Sequence, residues 1–253
     1  MRQDLFTGSA EYYPVGRMPY PPTLADALPL DGACRLLDVG CGPGSLTLLL
    51  APRVRSAVGI DADPEMLAEA ARQARRAGIG NVEWRHLRAE ELPAGLGRFD
   101  LVTFAQSFHW VDQPAVAATV RGMLEPGGAM VLVGATTHRG DDSDDPLPYP
   151  RPPHDAIAEL IVSFVGPPLR GTPWAPDVMR AAGFSGPETI DVDAGGVVTR
   201  TPDEIVASVF SLSYATPYKL GAGRERFEAE LRALLTEPLY AERRREITLE
   251  VWR

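Results

Sequence analysis

The sequence predicts a doubly wound α/β domain, and three observations carry that prediction. The apolar run Leu36-Leu37-Asp38-Val39 meets three alternating glycines, Gly40, Gly42 and Gly44, and a helical stretch from Ser45 to Ala51 follows. A second apolar strand, Ser56-Ala57-Val58-Gly59-Ile60, ends at Asp61, about twenty residues beyond the first glycine, where nucleotide-binding α/β folds place a carboxylate on ribose hydroxyls. From Arg35 to Ala135 short apolar strands alternate with helical patterns, as in a parallel sheet covered on both faces. Three glycines in five residues let a backbone approach a bound molecule closely, so the loop and Asp61 together point to an adenosine-containing ligand. Ser45 stands where a dinucleotide loop wants its last glycine, and Pro43 removes a backbone donor from the turn, so a pyrophosphate fits less well.

The elements follow in order. Residues 1–30 are rich in proline and tyrosine without strand alternation and are expected to form an arm with a short helix near Pro22 to Leu28. Strands are expected near 35–39, 55–60, 81–86, 99–104 and 129–135. The helix from Pro64 to Ala77 has Asp63 as N-cap, proline in its first turn and Gly78 as its stop. Pro126-Gly127-Gly128 is a turn into the fifth strand. Residues 136–186 break the alternation with the acidic run Asp141 to Asp145, a proline-rich stretch, and helices at 155–165 and 175–182, and are expected to form a lid. The tail supplies a strand at 188–198, helices at 202–209 and 223–235, and a last strand at 246–252. No internal repeat is visible.

Composition bounds the function. A chain of 253 residues, 45% hydrophobic, suits one α/β domain with an inserted cap. The net charge of −9 and scattered basic residues oppose nucleic acid as a partner. Lys219 is the sole lysine. Cys34 and Cys41 flank one strand, lack metal-ligand spacing and lie too far apart along it to bond, which fits a reducing, cytoplasmic setting. With no basic-then-apolar leader and no run of ~18 apolar residues, neither export nor a membrane span is expected.

Five motifs in one order resemble the class I S-adenosylmethionine-dependent methyltransferases, in particular the small-molecule branch that includes the trans-aconitate methyltransferases. They are Asp38-Val39-Gly40-Cys41-Gly42-Pro43-Gly44, Gly59-Ile60-Asp61-Ala62-Asp63-Pro64-Glu65-Met66-Leu67, Ala89-Glu90-Glu91-Leu92-Pro93, the run from Phe99 to Trp110, and Leu124-Glu125-Pro126-Gly127-Gly128. The match is close over residues 36–134 and looser at Tyr13, Arg17 and Tyr20 and at Ser211 to Tyr214. The resemblance implies a seven-stranded Rossmann-like sheet whose last strand inserts antiparallel between strands five and six. It also implies an arm (1–30) over the cofactor, a cofactor-binding core (31–135), an acceptor-site lid (136–186) and a C-terminal completion of the sheet (187–253). The implied donor is S-adenosylmethionine, and the product is S-adenosylhomocysteine.

Residue roles follow from the same resemblance. Asp38, Gly40, Cys41, Gly42 and Gly44 are expected to face the methionine part of the donor. Asp61 is expected to accept the ribose hydroxyls, since Asp63 already serves as the helix cap. Ala62, Met66, Ala89 and Glu90 are expected to border the adenine; Arg88 stands where many relatives carry aspartate, so Glu90 either reaches the adenine edge or caps a turn. Gln106 to Trp110 are expected beside the transferring methyl, and His109 either serves as a general base or packs with Trp110. Arg17 is expected at the cofactor, with Tyr13 and Tyr20 at the acceptor or on a solvent-facing arm. Trp110, Trp174 and Tyr214, with Phe164 and Phe210, either line the acceptor pocket or belong to the core. The run 141–145 is either a solvated loop or, less in keeping with its proline-rich setting, a metal site; no metal is expected. The expected activity is methylation of a small molecule, at oxygen; nitrogen or carbon as the target, or a non-catalytic donor-binding module, are the alternatives. A nicotinamide oxidoreductase is opposed by Ser45.

Overall fold

The computed structural model describes residues 6–168, 172 and 176–253. Its main sheet has seven strands in the order β3-β2-β1-β4-β5-β9-β6. These are β1 (Arg35–Val39), β2 (Ser56–Asp61), β3 (Val82–His86), β4 (Phe99–Ala105), β5 (Leu124–Gly134), β6 (Glu188–Val192) and β9 (Ile247–Trp252). The strands β1 to β5 pair in parallel, and β9 runs antiparallel between β5 and β6. The order reverses between β1 and β4, which opens a crevice at their carboxyl ends.

Successive strand residues feed opposite faces. Leu36, Leu101 and Val131 pack with Leu24 of α2 (Pro22–Asp26) and with Leu46 and Leu50 of α3 (Ser45–Leu50). Leu37, Val102 and Met130 pack with Val116 and Val120 of α5 (Gln113–Met123) on the other face. The helix α4 (Pro64–Ala77) is capped as its sequence indicates: Asp63 accepts the Glu65 amide at 2.8 Å, and Gly78 takes a left-handed φ of 68°.

Two expectations are corrected. The strand expected over 188–198 ends at Val192, because Gly195 and Gly196 take positive φ values of 75° and 35° and turn the chain away. Residues beyond the turn form β7 (Val197–Arg200), which pairs with β8 (Tyr240–Arg243) in a separate two-stranded sheet. The stretch expected as a single lid also divides. Its helix α6 (His154–Val165) joins α8 (Pro202–Phe210), α9 (Pro217–Leu220) and α10 (Arg224–Leu234) around a third apolar core that includes Ile161, Phe210, Phe227 and Leu231. Its other helix, α7 (Pro176–Ala181), sends Met179 into the main core beside α5. The cap therefore comes from two stretches of chain, one after β5 and one between β6 and β9.

A buried ion network ties the cap to the N-terminal arm. Arg200 donates to Glu242 at 2.9 Å, to the Gly16 carbonyl at 2.6 Å and to the Glu204 carbonyl at 2.9 Å. Glu242 also accepts from His154 and from the Gly140 amide, each at 2.7 Å. Burial alone would raise the Glu242 pKa, but these donors and the Arg200 charge outweigh it and hold it at about 2. The arm helix α1 (Tyr13–Gly16) lies on α8 so closely that a Cβ on Gly16 would sit 2.2 Å from the Ser208 nitrogen. The acidic run is spent on arginines: Asp141 faces Arg151, Asp142 faces Arg245, and Asp145 faces Arg243. Among the described residues no group of three or more His, Cys, Asp or Glu is placed to hold a metal, and no helix is long and apolar enough to cross a membrane.

Candidate active site

The glycine loop leaves β1 at the switch point. Gly40 takes φ 68° and passes Ser107 so closely that a Cβ would lie 2.6 Å from the serine Cβ. Gly42, at φ 54°, has nothing within 4 Å of its would-be Cβ and opens onto a cleft. Asp61, at the end of β2, reaches back to the loop: one carboxylate oxygen accepts the Gly42 amide at 2.8 Å and the other the Asp63 amide at 2.9 Å. Burial raises the Asp61 pKa against the pull of those two bonds. The carboxylate is thus braced by the backbone, with its remaining lone pairs beside the cleft.

Gly40, Cys41, Gly42, Asp61, Met66 and Gln106 line this cleft from the sheet side. Tyr13, Arg17, Tyr20 and Trp110 close it from the arm and the turn after β4. Arg17 is itself anchored, donating to the Ser211 hydroxyl at 2.6 Å and carbonyl at 2.8 Å, with its guanidinium 4.7 Å from the Tyr13 ring centroid. Burial raises the pKa values of both Tyr13 and Tyr20, which keeps them neutral phenols. Gln106 holds a left-handed φ of 54°, uncommon for a residue with a side chain, and its amide and side chain both bond the Val133 carbonyl at 3.3 Å. Ala62 and Ala89 lie next door, with Leu87 and Val111, in a small apolar slot that shares Asp61, Gly40 and Ser107 with the cleft.

The structure places several other expected site residues elsewhere. Asp38 is fully buried beneath the loop, where it accepts the Thr47 hydroxyl at 2.6 Å and the Thr103 hydroxyl at 2.8 Å. It pins β1 to α3 and β4, and burial, opposed by those hydroxyls, raises its pKa to about 6. Gly44 is the residue before α3; its φ of 82° and the Trp84 ring, 2.8 Å from a would-be Cβ, make it a packing residue. Glu90 sits outside both the cleft and the slot, accepting the Asp112 amide at 3.3 Å with Arg88 3.5 Å away.

His109 does not line the cleft. The turn Phe108–Trp110 sends Trp110 into the cleft and His109 into a second cavity on the far side of Gln106 and Ser107. The two rings are 4.8 Å apart, and burial lowers the His109 pKa, so the imidazole is neutral. Tyr214 packs on the cap core, as do Phe164 and Phe210 around Phe227. Trp174 lies outside the described residues. The cleft also uses Ser107, within the run expected at the methyl group, and Phe6, Met18 and Thr137, which were not expected there. Met18 adjoins Arg17 and is legible from that position; Phe6 and Thr137 carry no sequence signal.

Residues 36–128 match the family model described as a methyltransferase domain. The uncharacterized methyltransferase Rv3342 of Mycobacterium tuberculosis is 38% identical over 131 residues, 52% of each chain. The ubiquinone biosynthesis O-methyltransferase of Cereibacter sphaeroides is 38% identical over 109 residues, 43% of each. The chain thus spans about half the length of the curated relatives it matches. Among solved structures, the YcgJ protein of Bacillus subtilis superposes with a TM-score of 0.54 at 18% identity, over 91% of this chain and 96% of that one. The [4+2]-cyclase SpnF superposes at 0.55 and 22% identity, over 92% and 80%. At these identities the superpositions establish a shared fold.

Proposed function

We propose that this chain is an S-adenosylmethionine-dependent methyltransferase that methylates a small molecule at oxygen. The observation that carries the reading is the cleft itself: a braced acidic residue at the end of β2, an open glycine loop and an apolar slot meet at the switch point under an aromatic roof. These residues fit the donor. Asp61 has acceptor capacity left for two ribose hydroxyls, Ala62, Leu87, Ala89 and Val111 give the cleft an apolar border beside it, and Tyr13, Tyr20 and Trp110 offer π faces to a cation. When bound, the donor supplies an electrophilic methyl group on a sulfonium.

The protein's own contribution is alignment. Gly42 leaves room beside the loop, Asp61 fixes the ribose, and the arm, held down by Arg17 and Arg200, keeps water from the transferring group. Well-oriented partners reach effective molarities of ~10⁵–10⁸ M, so such a site works without a catalytic triad. Oxygen as the target is supported by the motif resemblance and by the Cereibacter relative, which is named an O-methyltransferase. The fold alone does not decide the chemistry, since SpnF is named a cyclase. The test is transfer of labelled methyl from S-adenosylmethionine to a panel of small hydroxy acids and phenols. Label in the acceptor with matching S-adenosylhomocysteine release supports the reading; donor binding without transfer to any oxygen, nitrogen or carbon acceptor favours the non-catalytic alternative.

A further inference from the structure

Behind Gln106 lies a cavity of about 200 Å³ that the donor does not need. It opens between β4, β5 and β9, and its walls are largely apolar, with Phe104, Phe108, Leu132 and Val133 among them. An apolar protein cavity of ~150 Å³ is enough to hold benzene, so this one accommodates an aromatic ring. Two of its polar groups keep capacity for a ligand. The Glu250 carboxylate takes a hydrogen bond from the Trp252 side chain, while its buried Oε2 has no donor placed on it and no cation pairs with the group among the described residues. The His109 ring packs on Trp110 and has no hydrogen-bond partner among the described residues. By contrast, Thr248 is spent on Asp191 at 3.0 Å, and Gln106 on the Val133 carbonyl.

A buried carboxylate oxygen without a donor is costly, and a cation that carries its own N–H groups is the partner that relieves it. Burial raises the Glu250 pKa against the pull of the Trp252 hydrogen bond. Gln106 and Ser107 line both this cavity and the donor cleft, so the two adjoin there and a molecule lodged in the cavity presents its other end at that shared edge.

We propose that this second cavity is the acceptor subsite, and that it takes a small aromatic hydroxyl compound bearing an ammonium group, with the ammonium on Glu250 and the hydroxyl toward Gln106. The proposal rests on the methyl-transfer reading. In the transfer the acceptor oxygen bonds to the methyl carbon as the carbon–sulfur bond breaks. Sulfur keeps the electron pair and becomes a neutral thioether, and the hydroxyl proton passes to the neutral imidazole of His109. His109 thus serves the acceptor from within the second cavity.

The test uses calorimetry with the full chain and three probes: tyramine, 4-ethylphenol, which lacks the ammonium, and 4-hydroxyphenylacetate, which reverses its charge. Tyramine is expected to bind about tenfold to a hundredfold tighter than 4-ethylphenol, with 4-hydroxyphenylacetate weakest. Glu250→Gln is expected to remove the tyramine advantage while leaving S-adenosylhomocysteine binding unchanged. Equal binding of tyramine and 4-ethylphenol by the wild-type protein overturns the proposal even if the variant fails to fold. So does an undiminished tyramine advantage in Glu250→Gln. Loss of S-adenosylhomocysteine binding in the wild-type protein overturns the methyl-transfer reading instead, and the two failures are read from separate titrations.

Discussion

Gly16→Ala should unseat the N-terminal arm. A Cβ there would lie 2.2 Å from the Ser208 nitrogen, 2.3 Å from the Ala207 carbonyl carbon and 2.5 Å from the Ser208 Cα, all backbone atoms. Ordinary contact begins at 3.4 Å, so one backbone has to give by about 1.2 Å. The helix α8 is held by Ile205, Val206, Val209 and Phe210 in the cap core, which leaves the arm to move. Overpacking costs ~1–3 kcal/mol, and losing the Arg200 bond to the Gly16 carbonyl costs a further ~1.5–3 kcal/mol. A penalty near 3 kcal/mol shifts the docked population about a hundredfold. Because Tyr13, Arg17 and Tyr20 reach the cleft only with the arm docked, donor affinity should fall by up to the same factor. Calorimetry with S-adenosylhomocysteine measures the affinity, and trypsin cleavage after Arg17 reports the arm. Wild-type affinity together with wild-type resistance to cleavage would refute the argument.

Asp61→Ala should weaken donor binding by ~2–3 kcal/mol, the worth of charge-assisted bonds to the ribose; an unchanged dissociation constant takes Asp61 out of that role. Asp38 has its folded pKa raised from the ordinary 3.8 to about 6, so the native state binds the extra proton and stability is lost as pH rises through that window. Denaturant titrations of Asp38→Asn should lack this loss, which is ~3 kcal/mol in the wild-type protein, and parallel pH profiles would contradict the assignment. Glu242 behaves in the opposite sense: its pKa is lowered from 4.5 to about 2, so its stabilisation is present above 4.5 and lost as pH falls through 2. Glu242→Gln leaves Arg200 buried without its counter-charge and should cost ~3–5 kcal/mol at neutral pH, which thermal unfolding checks; an unchanged midpoint would remove the network from the account.

The parts of this molecule that were legible in the sequence are the ones set by local chemistry. Alternating glycines with apolar runs on either side specify a strand, a turn and a helix; Asp63 before Pro64 and Gly78 after Ala77 mark both ends of α4. Asp61 was identifiable by its spacing from the loop, and the structure joins the two through the Gly42 amide. What stayed hidden depends on distant partners. The pairing of Val197 with Arg243 joins segments with no common motif, so a two-part cap read as one lid. Arg200 and Glu242 look like ordinary surface charges until the fold buries them together. The sequence placed His109 and Trp110 side by side, but the short turn that carries them sends the two rings to different cavities. Asp38 follows the same logic: its alternation in β1 shows burial, while its partners Thr47 and Thr103 come from other elements.

The central claim is that the cleft at the β1–β4 switch point is built for S-adenosylmethionine. Calorimetric titration of the purified chain with S-adenosylmethionine and S-adenosylhomocysteine, with NADH as control, tests it most directly. Saturable one-to-one binding of the first two and none of NADH is expected, with both affinities weakened in Asp61→Ala. Binding of NADH alone, or of none of the three, would contradict it.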